Sequence, residues 1–108
     1  MIHLPLQVEA AAALRKLRAD EALLIDVRER GEVARQGFDA PNVVVMPLSE
    51  FERRHKELPQ DRELILACAS GARSFQAMQY LRHHGWAHVY NLQGGIGHWR
   101  MHGMPVTG

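Results

Sequence analysis

The chain has 108 residues, 46% of them apolar and 23% charged, the balance of one globular domain taking in residues 1–108. Thirteen Lys and Arg against twelve Asp and Glu leave a net charge of +1, which excludes the broad basic footprint of a nucleic-acid or anionic-membrane binder. The single cysteine, Cys68, excludes an internal disulfide, and with only short apolar runs and no signal-like N-terminus the expected location is the cytoplasm, with no membrane partner.

Ile2-His3-Leu4 reads as a marginal first strand, which Pro5 confines to a strand end or a sheet edge. Val8, Ala11, Ala12 and Leu14 place an apolar stripe on one face of a helix over 8–18, opposite Arg15, Lys16 and Arg18. Leu23 to Val27 is a buried strand, and a helical turn or two falls over 29–36. After a strand at Val43 to Met46, Ser49-Glu50-Phe51-Glu52 has the spacing of a capping box and opens a short helix bounded by Pro59. Leu64 to Ala67 is the next strand. The helix that follows runs from Ser74 to His84, carries Phe75, Met78 and Leu81 at helical intervals, and stops at Gly85. A strand at His88 to Tyr90 and a last helix over 96–102, ending at Gly103, complete the pattern. Strands alternating with helices predict an α/β domain with parallel strands and right-handed crossovers. The reactive surface of such a sheet lies at the carboxyl ends of its strands. Asp26 to Glu29 and Cys68 to Arg73 both fall there.

The second group carries chemistry. Cys68-Ala69-Ser70-Gly71-Ala72-Arg73-Ser74 is strand end, tight loop and helix start, with the helix expected about six residues after the cysteine and Ser74 as its N-cap. Gly71 permits the positive φ that a curling loop needs, and Ala69 and Ala72 leave room at its mouth. Successive N–H groups then face inward as an anion-binding nest, and Arg73 adds a permanent cation beside it. A thiol so placed ionises more readily, and the thiolate is the nucleophile. A buried core cysteine is the competing reading, since free cysteine is among the most buried residue types. A core strand has no need of a glycine, an arginine and a helix start immediately after it.

Three motifs together resemble the rhodanese family of sulfurtransferases in its single-domain form. They are Leu24-Ile25-Asp26-Val27-Arg28-Glu29, the C-x-x-G-x-R-S loop at Cys68 to Ser74, and Asn91-Leu92-Gln93-Gly94-Gly95-Ile96-Gly97-His98-Trp99, running to Gly103-Met104-Pro105-Val106. The resemblance implies a central five-stranded parallel sheet flanked by helices on both faces. It also implies that Cys68 takes a sulfane sulfur from a donor such as thiosulfate, becomes a persulfide, and passes the outer sulfur to cyanide or a thiol. The N–H groups of Ala69, Ser70, Gly71, Ala72, Arg73 and Ser74 would cradle that sulfur, and Arg73 would help hold an anionic donor. Asp26 and Arg28 are expected to organise the loops from behind. The segment Gly37-Phe38-Asp39-Ala40-Pro41 departs from the family's Gly-His-Ile-x-Gly-Ala stretch. The loop has no cation besides Arg73, which makes room for a protein donor or acceptor.

No cofactor is expected. His98 and His102 have a zinc-compatible i, i+4 spacing, but no Glu follows His98 and no third ligand is evident, so no metal is expected either. His83, His84 and His88 read as a solvated helix end, and Trp99 as core. Besides sulfur transfer, two alternatives stand: a persulfide carrier or silent interaction module, and a cysteine phosphatase or arsenate reductase. Phosphatase loops follow C-x5-R, whereas Cys68 to Arg73 is C-x4-R, a ring sized for one sulfur atom. A phosphoryl group needs donors at ~2.7–3.1 Å around several oxygens at once, which the shorter ring does not seat. The protein should therefore show no Cys68-dependent turnover of an aryl phosphate; clear release of the phenol by the unaltered chain would favour the phosphatase alternative.

Overall fold

Side-chain alternation along two central strands divides the core into two layers. In the computed structural model, which describes residues 6–108, strand β2 spans Ala22–Asp26 and strand β4 spans Glu63–Ala67. Ala22, Leu24, Ile65 and Ala67 point to one face, and Ile25, Leu64, Leu66 and the following Val27 and Cys68 to the other. Strands β1 (Gln7–Val8), β3 (Val43–Val45) and β5 (Val89–Leu92) complete a five-stranded parallel sheet in the order β1-β5-β4-β2-β3. Helices α1 (Ala10–Arg18) and α5 (Gly95–Met101) cover the first face through Ala13, Leu17, Ile96 and Trp99. Helices α3 (Leu48–Arg54) and α4 (Ala72–His83) cover the second through Phe51, Ala77, Met78 and Leu81. The short α2 (Arg30–Arg35) buries no residue, and a 3-10 turn at His55–Glu57 follows α3. None of these helices is long and apolar enough to cross a membrane, among the described residues.

The sheet and its two helical layers match the expected architecture. The strand expected at Ile2 to Leu4 lies outside the described residues. Val8 departs from its expected helix, because Gln7 and Val8 pair with Asn91 and Leu92 and α1 begins only at Ala10. Edge pairing satisfies backbone groups that another helical turn would have left exposed; Gln93 N–H reaches the Val8 carbonyl at 2.9 Å. Ser49 is not a cap either: α3 begins at Leu48 behind Pro47, and the Ser49 hydroxyl donates to Glu29 at 2.8 Å. The capping box lies instead on α2, between Glu29 and Glu32, with a glutamate where Ser or Thr is usual. Trp99 is core, as read: it is fully buried, meets Phe38 edge-on at 5.1 Å, and its indole N–H donates to the Pro105 carbonyl at 2.8 Å.

The chain leaves β2 toward β3 on one side and leaves β4 toward β5 on the other, so the two carboxyl ends diverge at a topological switch point. Asp26 pairs in register with Ala67, which brings the two loops together. A buried ion pair closes the β2 end. Asp26 accepts from Arg28 Nε at 3.0 Å and Nη2 at 2.8 Å, and Arg28 Nη1 donates to the Gln36 carbonyl at 2.9 Å. The Arg28 guanidinium also lies over the Phe38 ring, 5.5 Å from its centroid. Asp26 is 1% exposed and Arg28 3%, so removing one partner strands the other charge away from water. Asp26→Ala should cost about 3–5 kcal/mol in urea unfolding, and Asp26→Leu with Arg28→Met should recover much of it. A loss below about 1 kcal/mol for the single change would mean that water reaches the arginine.

Candidate active site

Cys68 follows the parity of Leu64 and Leu66, which turns its side chain under the first turn of α4. The loop reaches that helix sooner than its sequence suggests. Gly71 has φ +102°, a left-handed conformation closed to most L-residues, and it serves as the N-cap, so α4 begins at Ala72, four residues after the cysteine. Ser74 is therefore not the cap. It lies inside the first turn, fully buried, and its hydroxyl points back to Cys68 Sγ at 3.3 Å and to Asn91 Oδ1 at 2.6 Å.

Cys68 is 1% exposed, and the Gly71 N–H donates to its sulfur at 3.1 Å. Burial pushes the thiol pKa up. The Ser74 hydroxyl and the backbone N–H groups of Ser74, Gly71 and Ser70 more than offset burial and hold the pKa below its ordinary value. Those N–H groups face inward because the loop's carbonyls are held from outside. Ile96 N–H on α5 donates to the Cys68 carbonyl at 2.9 Å, and Gly97 N–H to that of Ala69 at 3.1 Å. Asn91 Nδ2 takes the Gly71 carbonyl at 3.1 Å. The fit is close enough that a Cβ on Gly95, where φ is +60°, would stand 2.4 Å from the Cys68 oxygen.

Arg73 stands at the loop's rim, but its guanidinium is engaged. Both terminal nitrogens donate to Glu32 on α2 at 2.8 Å. Its proximity to Cys68 and Asp26 also raises its pKa, after the larger effect of Glu32. The structure thus gathers Cys68, Ser70, Gly71 and Ser74 around the sulfur, pairs Arg73 with Glu32 of α2, and keeps Asp26 and Arg28 paired with each other behind the loop. Ala69 and Ala72 are exposed at the mouth. The sequence pointed to no role at the site for Glu32, and none for Asn91 beyond its place at the head of the third motif. Glu32 lies 41 residues from Arg73, too far for any local pattern to join them. Asn91 did leave a trace, as a carboxamide inside the apolar run Val89-Tyr90-Asn91-Leu92. An open cleft of 910 Å³ borders Ser70, Gly71 and Ala72 and is lined also by Gln7, Gln76 and Gln79. No three His, Cys, Asp or Glu side chains cluster to hold a metal, among the described residues.

A model of the rhodanese-like domain matches residues 9–102. A sulfurtransferase of Allochromatium vinosum is 41% identical over 88 residues, which are 82% of this chain and 80% of that protein. The crystal structure of a rhodanese-related protein from Thermoplasma volcanium superposes with a TM-score of 0.83 at 29% identity, over 94% of this chain and 96% of the other. The rhodanese-like domain of an Anabaena protein, solved by NMR, gives 0.81 at 25% identity, over 97% and 80%.

The Arg73 hydrogen bonds press the Glu32 carboxyl to about 2, from an ordinary 4.5. A depressed carboxyl stabilises the fold in full above its ordinary value, and that contribution is lost as the pH falls from 4.5 toward 2. NMR titration of the Glu32 carboxyl carbon should give a midpoint near 2, returning toward 4.5 in Arg73→Ala. A wild-type midpoint already near 4.5 would show that the pair does not form in solution.

Proposed function

The chain belongs to the rhodanese-like sulfurtransferase family, and on that premise we propose that Cys68 carries a sulfane sulfur between a donor such as thiosulfate and a thiophilic acceptor, cyanide or a thiol. The observation that carries this reading is the sulfur's environment: Gly71 N–H at 3.1 Å and the Ser74 hydroxyl at 3.3 Å, on a ring of four residues between Cys68 and Arg73. The Cys68 thiolate attacks the outer sulfur of thiosulfate, the S–S bond breaks, and sulfite leaves with the bonding electron pair. Cyanide or a thiolate then attacks the outer sulfur of the persulfide, and the Cys68 thiolate leaves. Negative charge rests on sulfur in the free and the persulfide state, and fixed donors stabilise both without reorganising. The N–H groups from Ala69 to Ser74 form the cradle, the small side chains of Ala69 and Ala72 keep its mouth open, and the Asp26–Arg28 pair braces it. No cofactor enters these steps, and the cytoplasm suits a reaction that needs a free thiol.

One observation favours a thiol-borne or protein-borne donor over free thiosulfate. Glu32 neutralises Arg73, and no other residue from Cys68 to Ser74 is a cation. A small dianion therefore meets little net positive charge at the mouth, whereas a persulfide on another protein brings its own binding surface.

Intact-mass measurement tests the reading. Incubation with thiosulfate or a low-molecular-weight persulfide should add one sulfur atom, and cyanide should remove it. Cys68→Ser is nearly isosteric and should fold normally, take up no sulfur and yield no thiocyanate. Uptake by the serine variant, or none by the native chain from either donor, would sink the assignment. Slower loading from thiosulfate than from the persulfide is the order expected of the Glu32–Arg73 pair.

A further inference from the structure

Ser74 Oγ stands between two acceptors, Asn91 Oδ1 at 2.6 Å and Cys68 Sγ at 3.3 Å, and a hydroxyl has one proton to give. The orientation of the Asn91 carboxamide follows from its other end. Nδ2 donates to the Gly71 carbonyl at 3.1 Å and to Gln7 Oε1 at 3.2 Å, so the oxygen faces Ser74. While Cys68 is a thiol the chain is complete: S–H to Oγ, and O–H to Oδ1. When the thiol loses its proton to solvent, the sulfur becomes an acceptor only, and the Ser74 proton serves either the sulfur or Asn91. Asn91 is 3% exposed and Ser74 fully buried, so the acceptor that loses has no ready water to replace the proton.

We propose that Asn91 is a positioning residue that sets how readily Cys68 ionises, by competing with its sulfur for the single proton of the Ser74 hydroxyl. The proposal deepens the reading of Cys68 as the reacting thiol and rests on it. Asn91 opposes the loop's N–H groups: they favour the thiolate, and it withholds one donor from it. Once Cys68 Sγ is bonded to a second sulfur, its charge moves outward and the Ser74 proton returns to Oδ1. The thiol and the loaded state then share the bond from the Ser74 hydroxyl to Asn91 Oδ1, and the bare thiolate is the state that disturbs it. The charged groups around the sulfur are Arg73 on α4, paired with Glu32 on α2, and the Asp26–Arg28 pair beyond β2. From the neighbouring β5 and α5 come uncharged Asn91 and, farther along, His98, whose Nδ1 meets the Gln93 carbonyl at 3.3 Å. All of these stay in place when Asn91 is changed.

The test is the apparent pKa of Cys68, read from thiolate absorbance and from the pH profile of alkylation. Asn91→Ala should lower it by about half to one pH unit, raising the thiolate fraction on the acid side about three- to tenfold. Ser74→Ala removes the contested proton and should raise the pKa, and Asn91→Ala added to it should change nothing further. An unchanged or raised value in Asn91→Ala overturns the proposal. So does a drop that persists without Ser74, which would mean that Asn91 acts through the Gly71 carbonyl. Asn91→Asp keeps an acceptor at the Oδ1 position and gives a second arm if the alanine variant fails to fold. It should raise the pKa, and a lowered or unchanged value overturns the proposal. No sulfur donor enters these measurements, so a failure to transfer sulfur would count against the functional reading alone.

Discussion

The site depends on where the backbone carbonyls after β4 are sent. Those of Cys68 and Ala69 are taken by the first N–H groups of α5, and that of Gly71 by the Asn91 side chain. A peptide group whose oxygen is held outward presents its N–H inward, so the loop's donors gather on the sulfur without any cation touching it. α5 supplies these N–H groups because the four at the start of a helix lack partners of their own. Gly95 permits the approach: at 2.4 Å from the Cys68 oxygen there is no room for a side chain. The Gly94-Gly95 pair thus shapes a loop more than twenty residues upstream of it.

Charge around the loop is arranged in closed pairs. Asp26 and Arg28 neutralise each other under Phe38, and Glu32 neutralises Arg73 at the rim. The thiolate is consequently stabilised by oriented dipoles and one hydroxyl, which are short-ranged and weakly sensitive to salt. This differs from a nest flanked by free cations, whose field reaches into solvent and draws small anions in. Specificity in such a site falls to shape and to contacts beyond the loop, for which the carboxamide-lined cleft beside Ser70 to Ala72 offers hydrogen-bonding groups of both senses.

Polar side chains, exposed at Gln7 and buried at Asn91 and Ser74, connect the sheet to the site. Gln7 on β1, Asn91 on β5 and Ser74 on α4 form a continuous chain that ends at Cys68. Edge pairing of β1 with β5 therefore holds Gln7 against Asn91. The Cys68 sulfur is thereby linked to the sheet edge through hydrogen bonds, with no moving element required.

The class of the fold and the order of its elements were legible in the chain, and so was the residue proposed here as the nucleophile. These rest on local physics: apolar runs of strand length, helical periodicity at Phe75, Met78 and Leu81, and a glycine three residues beyond a lone cysteine. The sequence also carried Trp99 as core and Asp26 with Arg28 as a brace, because buried pairs two residues apart at a strand end have few other arrangements. The remaining features arise only in the folded chain. Ser74 turned from a cap into a donor because a left-handed Gly71 started the helix early. Val8 became edge strand because β5 offered it backbone partners. Glu32 met Arg73, and Asn91 met Ser74, across 41 and 17 residues. Hydrogen bonds of that span leave no periodicity in a chain; they exist only once the sheet has brought its strand ends together.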